Sequence, residues 1–342
     1  MRTLFKLLAL LLALALATGG WAWWWTQQPL PLAAEKVEIS VPEGASLRTA
    51  AARAVDGGVR TRPELLQWYF RLAGREQTIQ PGDYAVTRGM TPGDLLSRLV
   101  RGERIVLVVT LVEGWTFQQF RDALARAEHL RHETRDMAPA AIMQALGKPG
   151  VAAEGRFFPD TYHYFKNASD LDILRQSMQL MERRLQAAWD ARAPGLPLKN
   201  ADEALILASI VEKETGLPAD RPEVAGVFIN RLKIGMRLQT DPTVIYGLGD
   251  AFDGNLRRSH LQADTPFNTY TRAGLPPTPI AMPGKASLMA AVQPADTKAL
   301  YFVARGDGSS QFSTSLQDHN RAVNRYQRGG AAPAPAAGTS QP

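Results

Sequence analysis

Leu7 to Trp25 form an uncharged run of nineteen positions, preceded by Arg2 and Lys6. At about 1.5 Å rise per residue the run nearly matches a hydrocarbon layer of roughly 30 Å, so it predicts a membrane-spanning helix. After a Pro-containing linker at 26–36 the pattern changes. Val37, Ile39 and Val41 alternate with polar residues, the period of a half-buried strand, and Pro42-Glu43-Gly44 breaks it. Ser46 suits the N-cap of the Ala-rich helix that follows, and Pro63 suits the first turn of a second helix reaching Leu72. Gly82 to Val86 reads as a short strand. A turn, a hydroxyl residue and a short amphipathic helix recur at 44–54, at 90–100 with Thr91 as cap, and at 114–127 with Thr116 as cap. Ile105 to Val112 is β-branched enough to predict a strand.

Longer helical patterns then take over. Leu171 to Ala188 is amphipathic, and Ala201 to Thr215 is apolar around most of its circumference, as a helix inside a core must be. Leu300 to Val303, the turn Gly306-Asp307-Gly308 and Gln311 to Thr314 predict a late hairpin. Residues 329–342 are Ala, Pro, Gly and Ser without a hydrophobic pattern, which predicts a disordered tail. The expected class is α+β. An N-terminal transmembrane helix at 7–25 follows a cytoplasmic stub at 1–6. A small α+β subdomain occupies 37–112 and a larger mixed α/β domain 113–328.

Composition narrows the function. A chain of 342 residues is long enough for about two domains, and 45% apolar with 21% charged residues is ordinary for a folded protein. The net charge of +6 is compatible with an anionic partner. The basic residues are scattered, without the clustering or aromatic interleaving of a nucleic-acid surface, so no nucleic acid is expected. With no cysteine there is no disulfide framework, thiolate metal site or cysteine nucleophile. Trp21, Trp23, Trp24 and Trp25 sit at the far end of the apolar run, and no basic residue follows until Lys36. Indole rings favour the membrane interface and basic residues the cytoplasmic side, so the bulk of the chain is expected outside the cytoplasm. The alternative is a cleaved signal peptide, with Ala13, Ala15 and Ala17 near the cleavage site; it exports the chain equally.

The candidate chemistry lies in Ala204-Leu-Ile-Leu-Ala-Ser-Ile-Val-Glu-Lys-Glu-Thr-Gly216. At about 100° per residue Glu214 shares a helix face with Val211, Ile210 and Leu207, whereas Glu212 turns away by about 200°. Desolvation against such neighbours raises a carboxyl pKa, the property a general acid near neutral pH requires. The plain alternative is a buried ion pair. Downstream, 230–247 is rich in Gly, Pro, Gln, Thr, Asp and Tyr and reads as a shaped polar loop, followed by Asn268-Thr-Tyr270 and Gly274-Leu-Pro-Pro277. Amides, hydroxyls and aromatic faces suit a neutral sugar.

Those segments, with Val227-Phe-Ile-Asn-Arg-Leu232, Met236-Arg-Leu-Gln-Thr-Asp-Pro-Thr-Val-Ile-Tyr-Gly247, Gly155-Arg-Phe-Phe-Pro-Asp-Thr-Tyr162 and His319-Asn320, resemble the YceG-like (MltG) endolytic murein transglycosylases. The resemblance runs from the anchor to about Arg328. It implies a single-pass inner-membrane enzyme with a cytoplasmic N-terminus, a LysM-like part before a periplasmic YceG-like catalytic domain, and no cofactor. It also implies a lytic cut of the β-1,4 bond between N-acetylmuramic acid and N-acetylglucosamine inside peptidoglycan strands, leaving a 1,6-anhydro end and terminating nascent strands. Partners implied are peptidoglycan glycan strands, the inner membrane and peptidoglycan synthases. In such enzymes the catalytic Glu precedes Ser or Thr, which selects Glu214, followed by Thr215. Phe157-Phe158 departs from relatives that carry Trp in the aromatic pair.

Asn230, Gln239, Tyr246, Asn268 and Tyr270 are the substrate-binding candidates, each with an equally good structural reading. The nearest rival is a two-carboxylate hydrolase using Asp241 or Glu212; a further one is a glycan-binding scaffold without catalysis. No metal is expected, because His132-Glu133 lacks the second His of a zincin helix, and no nucleophile elbow surrounds Ser209 to form a triad with His319.

Overall fold

The computed structural model describes residues 2–73 and 79–329. In chain order the elements are α1 (Arg2–Thr26), β1 (Lys36–Val41), α2 (Leu47–Asp56), α3 (Pro63–Leu72), β2 (Gly82–Thr87), α4 (Pro92–Arg101), β3 (Leu107–Thr110) and α5 (Phe117–Arg126). They continue with α6 (Pro139–Ala145), β4 (Thr161–Tyr164), α7 (Asp170–Asp190), α8 (Ala201–Glu214), α9 (Arg221–Lys233) and α10 (Asp241–Leu248). The last are α11 (Arg258–Gln262), α12 (Lys285–Val292), β5 (Tyr301–Ala304), β6 (Ser310–Ser313) and α13 (Leu316–Tyr326). The tail expected at 329–342 lies, beyond Gly329, outside the described residues.

The chain divides into two compact units, one holding residues up to 108 with 163–168, the other 109–162 and 169 onward. In the first, the apolar helix α1 is long enough to cross a membrane, and Trp25 at its end packs on the unit's core. β1 and β2 pair antiparallel from Lys36 opposite Thr87 to Val41 opposite Gly82. The alternation read in the sequence turns Val37, Ile39 and Val41 inward onto Ala50, Ala54, Leu66 and Phe70 of α2 and α3. Ser46 caps α2 through the Thr49 amide, and Thr91 with Asp94 closes a reciprocal capping box on α4.

The second unit is built around α8. Its residues 204–211 are all buried, with α7, α9, α10 and α12 packed around it. Fully burying Leu205, Leu207 and Ile210 stabilises the unit by about 1.5–3 kcal/mol each. This explains why the sequence of α8 lacks a polar face. Thr116 and Gln119 form the second capping box, at the start of α5. β5 and β6 make the late hairpin.

Two expectations change. The strand at 105–112 shortens to β3. The stretch 230–247 is not one polar loop: its start completes α9 and its end forms α10, with Pro242 in the first turn, where its missing N–H costs no helical bond.

Candidate active site

Glu214 is the last residue of α8, and Thr215 leaves the helix with extended backbone. A helix C-terminus carries partial negative charge, so this position already disfavours a carboxylate. The side chain opens onto a cavity of about 510 Å³ lined by Arg231, Gln239, Asp241, Tyr270, Tyr301 and His319 among others, a size usual for small-ligand sites. Burial is the main cause that pushes the Glu214 pKa up, and the Asp241 charge adds to it; the Thr240 hydroxyl and the Arg231 cation oppose it. Among the described residues Glu214 has no ion-pair partner.

Thr240 donates a short hydrogen bond from Oγ1 to Glu214 Oε1. It stands at the N-cap of α10, where a threonine usually caps its own helix, yet its hydroxyl makes no capping bond. Its backbone is held instead: the Thr240 amide donates to Thr269 Oγ1 at 3.1 Å, and Thr243 Oγ1 donates to the Thr240 carbonyl at 2.8 Å. All three threonines are buried. A hydroxyl fixed this way can donate to the carboxylate and accept from the acid, so it serves both protonation states.

Glu212, two residues earlier, has a different fate. Its carboxylate faces Arg221 Nη2 at 3.4 Å and accepts the Gly284 amide at 2.9 Å, with the side chain only 6% exposed. It ties α8 to α9 and to the start of α12. Glu113 lies beside it; burial, then the Glu212 charge, raises the Glu113 pKa.

The binding candidates separate. Gln239 and Tyr270 line the Glu214 cavity. Tyr270 donates to Asp241 Oδ1 at 2.5 Å, and burial, followed by this acidic neighbour, raises its pKa. Gln239 holds a left-handed backbone, φ 49°, an unfavourable geometry for a non-glycine residue, with its amide donating to the Thr269 carbonyl. Asn230 and Asn268 are engaged elsewhere. Asn230 Nδ2 donates to the carbonyls of Thr297 and Ala299 at 2.7 and 3.1 Å, fixing the segment that leads to Tyr301. Asn268 is buried; its Nδ2 donates to the carbonyls of His260, Leu261 and Ala263, while its Oδ1 accepts the Tyr270 amide. Each asparagine therefore places a cavity wall. Tyr246 faces a second cavity, where it donates to Glu154 Oε2 at 3.2 Å.

Sequence reasoning missed Thr240, Arg231 and Tyr301 at the site. Arg231 is buried and donates to the carbonyls of Leu300 and Leu238 at 2.7 and 2.6 Å, its guanidinium 5.3 Å from the centre of the Tyr301 ring. Tyr301 stacks on His319 at 5.3 Å, and burial, then the Arg231 charge, lowers the His319 pKa. The sequence signal for Arg231 was its place beside Asn230 on a buried helix; its partners Leu300 and Tyr301, about 70 residues on, carry no local signature. Ser209 is spent on the Ile206 carbonyl and the Ile280 amide, which leaves no role as a nucleophile. Among the described residues no His, Cys, Asp and Glu group is arranged to hold a metal.

Residues 39–325 match the YceG-like family, and the chain belongs to it. An endolytic murein transglycosylase of Bacillus subtilis (strain 168) is 29% identical over 307 residues, covering 85% of this chain and 84% of the relative. The protein of the same name from Streptococcus pneumoniae (strain D39) is 25% identical over 328 residues; the match covers 85% of this chain but 58% of the relative. A crystal structure of a YceG-like protein from Listeria monocytogenes superposes with a TM-score of 0.54 at 26% identity, covering 84% of this chain and 98% of that one.

Proposed function

We propose that the chain is a lytic transglycosylase that cuts inside peptidoglycan glycan strands, with Glu214 as its acid and then its base. The observation that carries this reading is a carboxyl whose pKa burial raises, without an ion-pair partner among the described residues, and facing a cavity. The names of the curated relatives support the reaction and the substrate.

Protonated Glu214 gives its proton to the glycosidic oxygen between N-acetylmuramic acid and N-acetylglucosamine as the C1–O bond breaks and the sugar takes on oxocarbenium character. The resulting carboxylate then accepts the proton of the same sugar's 6-hydroxyl while O6 bonds to C1. The products are a 1,6-anhydro end and a free 4-hydroxyl, and no water is consumed. The attacking hydroxyl is already part of the substrate and gains from proximity. Thr240 donates to the carboxylate form, stabilising it between the two transfers. Gln239 and Tyr270 are positioned to meet the sugar; Asn230 and Asn268 act through the walls they hold.

Around this core, α1 anchors the chain in the inner membrane with its N-terminus in the cytoplasm and the catalytic part in the periplasm. The strand and helix unit at 37–112 is a LysM-like module and 113–328 the catalytic domain. Cutting near the membrane terminates new strands beside the synthases that make them. Digestion of intact glycan strands, with mass spectrometry of the ends, tests the reaction: an anhydro end supports it and a reducing end refutes it. One observation favours a second reading. Asp241 lines the same cavity, so a hydrolase with two carboxylates is its alternative; a reducing end would select it.

A further inference from the structure

Cutting within a strand requires sugars to be held on both sides of the broken bond, and the Glu214 cavity is lined by the last residue of α8 and the first of α10. Both of these elements present neighbouring residues to a second cavity, of about 720 Å³. On α8, Glu214 faces the first and Lys213 the second. On α10, Asp241 faces the first, whereas Pro242, Ile245 and Tyr246, at one-turn spacing, face the second. The end of α8 and the start of α10 thus border both cavities.

The second cavity is furnished for a sugar. Phe252 and Tyr246 contribute aromatic rings, Gln118 an amide and Lys213 a cation, while Glu154 joins its walls. Glu154 is buried; it accepts the Phe117 amide at 3.0 Å at the start of α5 and the Tyr246 hydroxyl from α10. Lys213 Nζ donates to the Gly114 carbonyl at 3.2 Å and is otherwise exposed, so its charge points at solvent on the cavity side. The site is therefore held behind by Glu154, with Lys213 and Asp250 as its exposed charges.

We propose that this second cavity binds the glycan residues that flank the cleavage point, with Phe252 and Tyr246 packing on a sugar ring and Lys213 pairing with a carboxylate carried by the strand. The proposal rests on the peptidoglycan reading above. The carboxylate comes either from a stem peptide or from the lactyl group of a muramic sugar stripped of its peptide.

The test uses the full-length Glu214→Gln protein in detergent and measures affinity for three fluorescently labelled probes: chitohexaose, which lacks carboxylates, amidase-stripped glycan strands, and strands bearing peptides. Adding Phe252→Ala is expected to weaken all three by about tenfold. Adding Lys213→Ala is expected to weaken only carboxylate-bearing strands, again by about tenfold, and Lys213→Arg to restore them. A loss confined to peptide-bearing strands assigns the stem peptide; a loss on stripped strands as well assigns the lactyl group. Phe252→Ala and Lys213→Ala both binding every probe within about twofold of the Glu214→Gln parent, or Lys213→Ala weakening chitohexaose as much as the strands, overturns the proposal. Lys213 is exposed, so its variants report binding even if Phe252→Ala fails to fold. Cleavage by the wild type, assayed separately, keeps failure of the catalytic reading distinct from failure of this one.

Discussion

Replacing Glu154 by Gln should remove a pH dependence from the stability of the catalytic unit. Burial drives the Glu154 pKa from 4.5 to about 7, against the opposing pull of the Phe117 amide, the Tyr246 hydroxyl and the Gly155 amide. A folded-state pKa above the unfolded one means the native protein holds a proton that the unfolded chain releases. Its stabilising contribution is complete below about 4.5 and is lost as pH rises through about 7. At about 1.4 kcal/mol per pH unit the loss totals about 3 kcal/mol. Gln reproduces the neutral carboxyl in shape and cannot ionise. Glu214 and Glu113 are raised too and tilt the wild-type curve the same way, so the informative quantity is wild type minus variant. Lys213 and Asp250 line the same cavity and are present in both proteins. Urea unfolding of the full chain in detergent at pH 5, 6, 7 and 8, followed by circular dichroism, should show that difference shifting by about 2.5 kcal/mol against the wild type, the rest of the loss falling below pH 5. A difference that stays flat across this range would refute the burial argument for Glu154.

Glu214→Gln should abolish strand cleavage while leaving the thermal midpoint at or above the wild-type value, because a neutral amide suits a buried site; a residual cleavage rate near wild type in end-group mass spectrometry counts against Glu214. Thr240→Val should lower kcat by about tenfold or more, as the carboxylate loses a hydrogen bond worth about 1.5–3 kcal/mol, and should move the alkaline limb of the pH profile upward. An unchanged limb there would mean that Thr240 does not govern Glu214. Gly155→Ala should destabilise the catalytic unit by more than about 2 kcal/mol: φ is +79° and a Cβ would lie 2.4 Å from Pro279 Cβ, a rigid neighbour. A melting curve indistinguishable from wild type would contradict that packing.

How much of this was legible in the sequence depends on the range of the interaction. The caps Ser46, Thr91 and Thr116, the alternation of Val37, Ile39 and Val41, and the unbroken apolar surface of α8 act within a few residues, and each formed the element it predicted. The failure at 230–247 came from weighing composition above position. Pro242 was available as a helix-start signal, but Gly, Gln and Thr around it looked like loop chemistry. The site itself was half legible. Glu214 could be picked out because its own helix desolvates it, whereas Thr240 bonds its carboxylate, Arg231 is fixed by the Leu300 carbonyl and Tyr301 packs its ring on Arg231, contacts distant in sequence that no periodicity records. Asn230 and Asn268 carried the right residue type for sugar recognition, yet their amides are consumed by main-chain carbonyls.

The pair Glu212 and Glu214 shows why position on a helix decides chemistry. Both are largely buried side chains on one turn of α8, and composition cannot tell them apart. A rotation of about 200° puts Glu212 toward Arg221 and the Gly284 amide, where its charge is compensated by an ion pair and a donor. Its work is to hold α8 against α9 and α12. The same rotation leaves Glu214 with a single hydroxyl donor, the negative end of the helix behind it and Asp241 beside it, all in a cavity open to a ligand. Glu212 is thereby spent on packing, whereas burial and the Asp241 charge raise the Glu214 pKa, the property that the proposed role as an acid requires. Exchanging the two roles would require moving a cation, and Arg231 marks the limit of that option. It lines the Glu214 cavity, but its donors already serve the Leu300 and Leu238 carbonyls, so it limits the rise in the Glu214 pKa without locking the side chain in an ion pair.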